Sequence, residues 1–429
     1  MKKEVFVLAV SPLSTNLLRS MSKIRQRLPF ADLGLIVLAK NPGVLEQAEG
    51  FNIPVELIAC RFSSPEEIDA VLAPFKGKIR AVVCRGDKNI QYLREVVAHL
   101  PGDLPVAPTK ALEIATDKRL MREAFLKYAP EITPKFAQVH DSSRYAVDSV
   151  ETKLQYPVIV KPANLASSLL IQTCYSRSEL SETLERVFNM IGDIYKKQDR
   201  STAPSVIVEE FLEGDFYSVD SYVMRPGEFY HCPVVGYIPA KTIGIDDFFL
   251  YKRFLPSGLT EQEVAAAFEA VEKALTAIGL THSTAHVEMV KTKQGWKIIE
   301  IGPRLGRFRH VMYEEAYGID HSLNDLLIHL GEKPVILMKL RKYCSAYSIY
   351  PHDEGVLCDL PGLKKLEQDR STVFMRVLAQ KGDVCLHAKN GGGALAEFVI
   401  ADENVDDFES LTKYVEENTT ATIDQFGVT

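Results

Sequence analysis

The seven cysteines of this 429-residue chain stand singly, with no CxxC pair and no His–Cys ligand spacing. Neither a zinc site nor a disulfide framework is therefore supported, and free thiols in a reducing compartment, the cytoplasm, are expected. No apolar run reaches the roughly 20 residues that a membrane span needs. The opening "MKKEVFVLAVSPL" has an apolar run too short for a signal peptide and no small-x-small site behind it, so it reads as a first strand. Excess basic charge is also missing. A net charge of −7 argues against a nucleic-acid partner, which requires a clustered basic surface. There is no GxGxxG after the first strand, only "VSPLSTN", so a dinucleotide site is unsupported. The chain also lacks internal repeats, low-complexity tracts, charge runs and any Ser/His/Asp or Cys/His arrangement that would signal a nucleophile.

What is present belongs to a globular protein, 46% apolar and 25% charged, and long enough for two to four domains. Residues 1–108 alternate short β-rich runs ("EVFVLAV", "LGLIVLA", "PVELIA", "IRAVVC") with helical periodicity, the βαβ pattern of a parallel sheet. The last of these runs ends in Cys84–Asp87, where ligands tend to sit in such sheets, although an ordinary loop is the favoured reading. Pro-rich "PGDLPVAPTK" marks a boundary near residue 110. "TEQEVAAAFEAVEKALTAIGL" reads as an amphipathic helix capped by Thr260 and closed by Gly279. Beyond about residue 341, β-rich runs and one closing amphipathic segment suggest a small α+β tail.

Four segments carry chemistry. "TDKRLMREAFLKY" starts a helix with Lys118 in its first turn, and "YPVIVKP" is an apolar strand whose only charge is Lys161. "SVIVEEFLEGDFYSVDSY" delivers Glu209 and Glu210 to a bend at Gly214. "HVE" and "WKIIEIGPRLGRFR" form two strands about the turn "TKQG", with Glu288 and Glu300 twelve residues apart and Arg304 four residues on. Two carboxylates at neighbouring strand ends can hold magnesium together with substrate phosphates. An Arg nearby can grip phosphate or carboxylate bidentately. His282 and His286 are spaced i, i+4, but on a strand and without the HExxH glutamate, which argues against zinc.

In this order and spacing, the segments resemble the ATP-grasp superfamily over residues 110–340, and its carboxylate–amine ligase branch, the L-amino acid ligases, most of all. The resemblance implies an ATP-grasp fold built of α/β and α+β parts. Residues 1–110 would form a Rossmann-like pre-ATP-grasp domain and 111–340 the grasp core, its lid spanning about 132–208. Residues 341–429 would form the C-terminal domain. It implies ATP as nucleotide and Mg2+ as metal, two ions, with Mn2+ able to stand in. Lys118 and Lys161 would meet the phosphates, Ser167 and Ser168 would belong to the flap above them, and the backbone of Glu209, Glu210, Phe211 and Leu212 would read adenine. Glu288 and Glu300 would bind metal, and Arg304 would meet the transferred phosphate as the catalytic group. His286, Arg307 and Phe308 would shape the substrate pocket.

The sequence also departs from the family pattern. The flap has Leu165, Leu169 and Leu170 where glycines are usual. Phe216 stands at the ribose Glu position with Asp215 beside it, a candidate substitute. Gly302 replaces an Asn, and Gly306-Arg307 replaces a Gly-Gly pair. A cation in that loop points to an acidic or phosphate-bearing substrate, or else faces solvent. The expected partners are a small acid and a small amine, of amino-acid type. A carrier-protein thiol could be the acceptor instead, and bicarbonate could be the acid. A silent nucleotide sensor is the non-enzyme alternative. A homodimer would be ordinary, although no residue calls for one.

Overall fold

A computed structural model of the chain describes residues 5–27, 30–165, 168–198 and 203–425. The N-terminal runs pair in parallel, in the order Val55–Ala59, Leu33–Ala39, Val5–Ala9, Ile79–Val83. Leu33–Ala39 is buried along its whole length, as a strand covered on both faces must be. The Pro-rich stretch leads from this sheet into helices Thr109–Ala115 and Lys118–Tyr128.

The lid candidate carries a four-stranded antiparallel sheet ordered Phe136–Val139, Val206–Glu210, Val158–Pro162, Gln172–Cys174. Helix Arg177–Lys197 lies against it, started by Ser176 and burying Leu180, Leu184, Val187 and Ile191 on one face.

The main platform is a nine-stranded sheet. It runs from Gly295–Gly302 through Ser283–Thr292, Asp215–Arg225, Val235–Pro239 and Leu250–Leu255. It continues without a break into Tyr343–Ile349, Ala396–Asp402 and Thr372–Val377, all after residue 341. Helix Glu261–Ile278 is capped by Thr260 as expected, with a capping box that Glu263 completes, and ends in left-handed Gly279. Its face of Ala267, Ala270, Val271, Ala274 and Leu275 covers one side of the sheet. Gly214 enters the Asp215–Arg225 strand where an added Cβ would lie 2.1 Å from the Lys291 carbonyl oxygen, so only glycine fits the bend. Among the described residues no helix is long and apolar enough to cross a membrane.

Helix His321–His329 is buried on all sides. Its Leu323, Leu326 and Leu327 share a core with Leu17, Leu18 and Met21 of helix Thr15–Arg25 and with the N-terminal strands. This contact docks the parallel sheet onto the platform. Leu326→Ala is expected to lower stability by about 2–5 kcal/mol, the usual cost of a buried Leu-to-Ala cavity. Urea unfolding followed by circular dichroism measures it, and a loss under about 1 kcal/mol would mean that this contact does not hold the two parts together.

Candidate active site

The register of the hairpin decides the site. Glu288 pairs directly with Glu300 across the Ser283–Thr292 and Gly295–Gly302 strands, with a bulge immediately after Glu288. Directly paired residues point to one face of a sheet, and two like charges there repel. Cations gather around them. Lys118 Nζ lies 3.2 Å from Glu300 Oε2 and donates to the Leu165 carbonyl at 3.2 Å. His286, two residues before Glu288, puts Nε2 3.3 Å from Glu288 Oε1. Burial would raise the Glu288 carboxyl, but His286, Arg304 and Arg253 bring it below its ordinary range.

Opposed carboxylates give oxygen donors suited to a hard cation. Among the described residues no cluster of three His, Cys, Asp or Glu could hold a metal unaided. A cation at Glu288 and Glu300 therefore fits best where further oxygens come from a substrate's phosphates.

Arg304 forms a two-pronged pair with Asp87, Nε to Oδ1 and Nη2 to Oδ2, each 2.7 Å. Asp87 follows the Ile79–Val83 strand, so the Cys84–Asp87 loop, read from sequence as an ordinary turn, reaches into the site. Its position beyond the end of a parallel strand was the signal noted in the sequence, outweighed there by the ordinary-loop reading. Nη1 of Arg304 donates to the Leu305 carbonyl, so two of its five N–H groups have no acceptor among the described residues. Burial opposes the Arg304 charge, but Asp87, Glu288 and Glu300 secure it.

His286 leads into a buried network that the sequence did not reveal. Its Nδ1 meets Asp220 Oδ2 at 3.1 Å. Fully buried Asp220 also receives Gly306 N–H at 2.9 Å, Arg309 Nε at 3.2 Å and Tyr313 OH at 3.3 Å. His321 Nε2 lies 3.3 Å from it. Arg309 donates to Tyr237 OH at 2.6 Å and Ser218 Oγ at 2.9 Å. A Cβ at Gly306 would come within 2.6 Å of His286 Nδ1 and 2.8 Å of Asp220 Oδ1, which explains the glycine.

The nucleotide-side candidates divide. Lys118 reaches the carboxylate pair, whereas Lys161 Nζ sits 2.6 Å from Glu209 Oε2. Glu209 turns its side chain inward, taking Arg122 Nε at 2.7 Å on its other oxygen, while Arg122 Nη2 donates to the Ile299 carbonyl. The backbone N–H groups of Glu210 and Phe211 donate to the carbonyls of Lys135 and Pro157. Leu212 follows the strand end, and Lys241 Nζ lies 4.8 Å from the Phe211 ring centre. Ser168 adopts φ 61° and donates to the Phe248 carbonyl at 3.0 Å. Ser167 lies outside the described residues. Asp215 is exposed and pairs in register with Lys291. Phe308 is buried at φ 62°, and Arg307 pairs with buried Glu397.

Together, a parallel sheet, a four-stranded antiparallel sheet and a platform with paired carboxylates, Lys118 beside them and an arginine clamped by Asp87 give the donor set of a phosphate-handling enzyme class. Residues 154–310 match the ATP-grasp domain family. D-alanine–D-alanine ligase of Bacillus velezensis is 31% identical over 271 residues, which cover 57% of this chain and 67% of that enzyme. The uncharacterised protein y4rH of Sinorhizobium fredii is 23% identical over 61% of this chain, an alignment that spans about half of its own length, 52%. The crystal structure of an L-amino acid ligase from Bacillus licheniformis shares the fold at 17% identity, with a TM-score of 0.77, over 99% of this chain and 100% of that one. The chain belongs to the ATP-grasp family of carboxylate–amine ligases.

Glu209 supplies a pH test. Burial raises its carboxyl, but Arg122 and Lys161 outweigh this and bring it from an ordinary 4.5 down to about 2. A depressed carboxylate adds stability above its unfolded pKa and loses it as pH falls through the folded one. Its share, roughly 3 kcal/mol, should therefore fade between about pH 4.5 and pH 2. The stability gap between wild type and Glu209→Gln, from urea midpoints, is expected to be largest above pH 5 and to narrow on acidification. A gap constant down to pH 2.5 would refute the pairing.

Proposed function

We propose that the chain is an ATP- and Mg2+-dependent ligase that activates an amino-acid-type carboxylate as an acyl phosphate and joins it to an amine. The observation that carries the reading is the Glu288–Glu300 pair in register, with Lys118 on one side and Arg304, held by Asp87, on the other. Glu288 and Glu300 would hold Mg2+, which would supply positive charge to the phosphates.

The acid's carboxylate oxygen attacks the γ-phosphorus, the bond to the β–γ bridging oxygen breaks, and ADP leaves. The amine nitrogen then attacks the acyl carbon, the C–O bond to phosphate breaks, and the departing phosphate takes the proton that the amine loses as the amide forms. Arg304, aimed by Asp87, offers its two remaining N–H groups to charge that grows on the transferred group. Lys118 and Lys161 serve the phosphates, the latter handed over from Glu209. His286, braced by Asp220, fixes the Glu288 carboxylate. Closure by the lid keeps water from the acyl phosphate.

ADP and phosphate are expected to appear only when an amino acid is present. Arg304→Met should reduce kcat by about 10²–10³, and Glu300→Gln should remove turnover. A coupled assay that resolves ADP from AMP, with mass analysis for the amide, is the measurement. Release of AMP would overturn the acyl phosphate. ADP formed only with a carrier protein would move the acceptor to a thiol, and ATP binding without turnover on any acceptor would favour a sensor.

A further inference from the structure

Beside Arg304 lies a second group of cations that the ligation chemistry does not use. Arg253, on the Leu250–Leu255 strand, is only 7% exposed. Its hydrogen bonds among the described residues all leave one nitrogen, Nη1, toward the Leu250 carbonyl at 2.9 Å and Ser348 Oγ at 3.0 Å. No carboxylate of the described residues lies within ion-pair distance of it. A buried charge without a counter-ion is strongly unfavourable unless something supplies one. The groups around it do not. Burial and the guanidiniums of Arg309 and Arg307 lower its pKa to about 10, with Tyr237 opposing them.

Arg307 and Arg253 both lie against the Phe308 ring. The guanidinium carbons of Arg253 and Arg307 lie 5.2 Å and 5.4 Å from the centre of that ring. Arg307 shares one buried carboxylate, Glu397, with Arg376. Arg307 and Arg376 therefore face a single carboxylate, and Arg253 has none within ion-pair distance among the described residues. The side chains of Arg307 and Arg376 are each 53% exposed, so a solute can reach them. Tyr350, stacked on Phe249 at 4.1 Å, lies within the electrostatic reach of both Arg307 and Arg253.

We propose that Arg253 and Arg307, backed by Arg376, form a subsite for a second anionic group on the substrate, a side-chain carboxylate, so that the enzyme selects an acidic amino acid. The proposal rests on the ligase reading above and names its substrate class. A guanidinium with free N–H groups matches a carboxylate bidentately. A site that leaves a buried cation unpaired rejects the neutral amide of the same shape.

The test is a calorimetric titration of the full chain with Mg2+ and ADP present. The probes are aspartate, glutamate, asparagine, glutamine and O-phosphoserine. One dicarboxylate is expected to bind about tenfold or more tightly than its amide. Arg307→Ala and, separately, Arg253→Met should shrink that ratio to within about threefold. Tighter binding of O-phosphoserine than of either dicarboxylate would keep the subsite and assign it to a phosphate ester. Equal binding of acids and amides, or a preference that survives Arg307→Ala, would overturn the proposal. Arg307 is half exposed, so its variant should fold even if that of Arg253 does not. ADP release is read in parallel. Turnover of neutral amino acids with no acid preference sinks the subsite and leaves the ligase. Arg307-dependent binding of a dicarboxylate with no turnover on any amine sinks the ligase and leaves the subsite.

Discussion

One buried carboxylate organises the centre of this molecule. Asp220 has no solvent exposure, and burial alone would push its carboxyl up. His286 and His321 instead hold it well below the usual carboxylate range. A charge in that position survives only when its oxygens are satisfied from several directions. Its five neighbours come from the Ser283–Thr292 strand, the Gly306 loop, helix Arg309–Tyr317 and helix His321–His329. Removing Asp220 would strand Arg309 and release the loop backbone at once. The position of Glu288 depends on it too, because His286 spans Asp220 and Glu288 through its two nitrogens.

Elsewhere the same rule recurs with other residues. Arg122 and Lys161 share Glu209, which joins the lid sheet to helix Lys118–Tyr128 and, through the Ile299 carbonyl, to the strand that carries Glu300. Solvent-exposed pairs on the surface contribute little each. Buried ones cannot be lost singly without leaving an uncompensated charge. The site is thus framed by charges whose partners lie on different sheets, so the three sheets meet at ion pairs and not at apolar contacts alone.

Local chemistry was legible in the sequence where it depends on neighbours in the chain. The Thr260 cap with its Gly279 stop, the "TKQG" hairpin and Lys118 in a first helical turn all follow from short-range rules, and the structure has each of them. The hairpin alone brings Glu288 opposite Glu300. Partnerships across the fold were not legible. Arg304 meets Asp87 217 residues away, and Arg309 meets Asp220 89 residues away. No periodicity encodes such pairs. The inward turn of Glu209 was hidden for a related reason, since its strand is covered on both faces and alternation no longer separates inside from outside.

The loop after Glu300 shows what these distant partners accomplish. It carries Arg304 and Arg307 and leads into Arg309 at the start of helix Arg309–Tyr317, and each of the three ends on a carboxylate from a different element. Arg304 goes to Asp87 of the N-terminal domain, Arg309 to Asp220 of the central strand and Arg307 to Glu397 near the far end of the platform. Pulled three ways, with Gly306 pressed against Asp220, the loop has little freedom left. A loop ordered before the substrate arrives loses less entropy on binding and need not reorganise as charge develops. Two of its anchors leave donors over: Arg304 on Asp87 and Arg307 on Glu397 each keep N–H groups with no acceptor among the described residues.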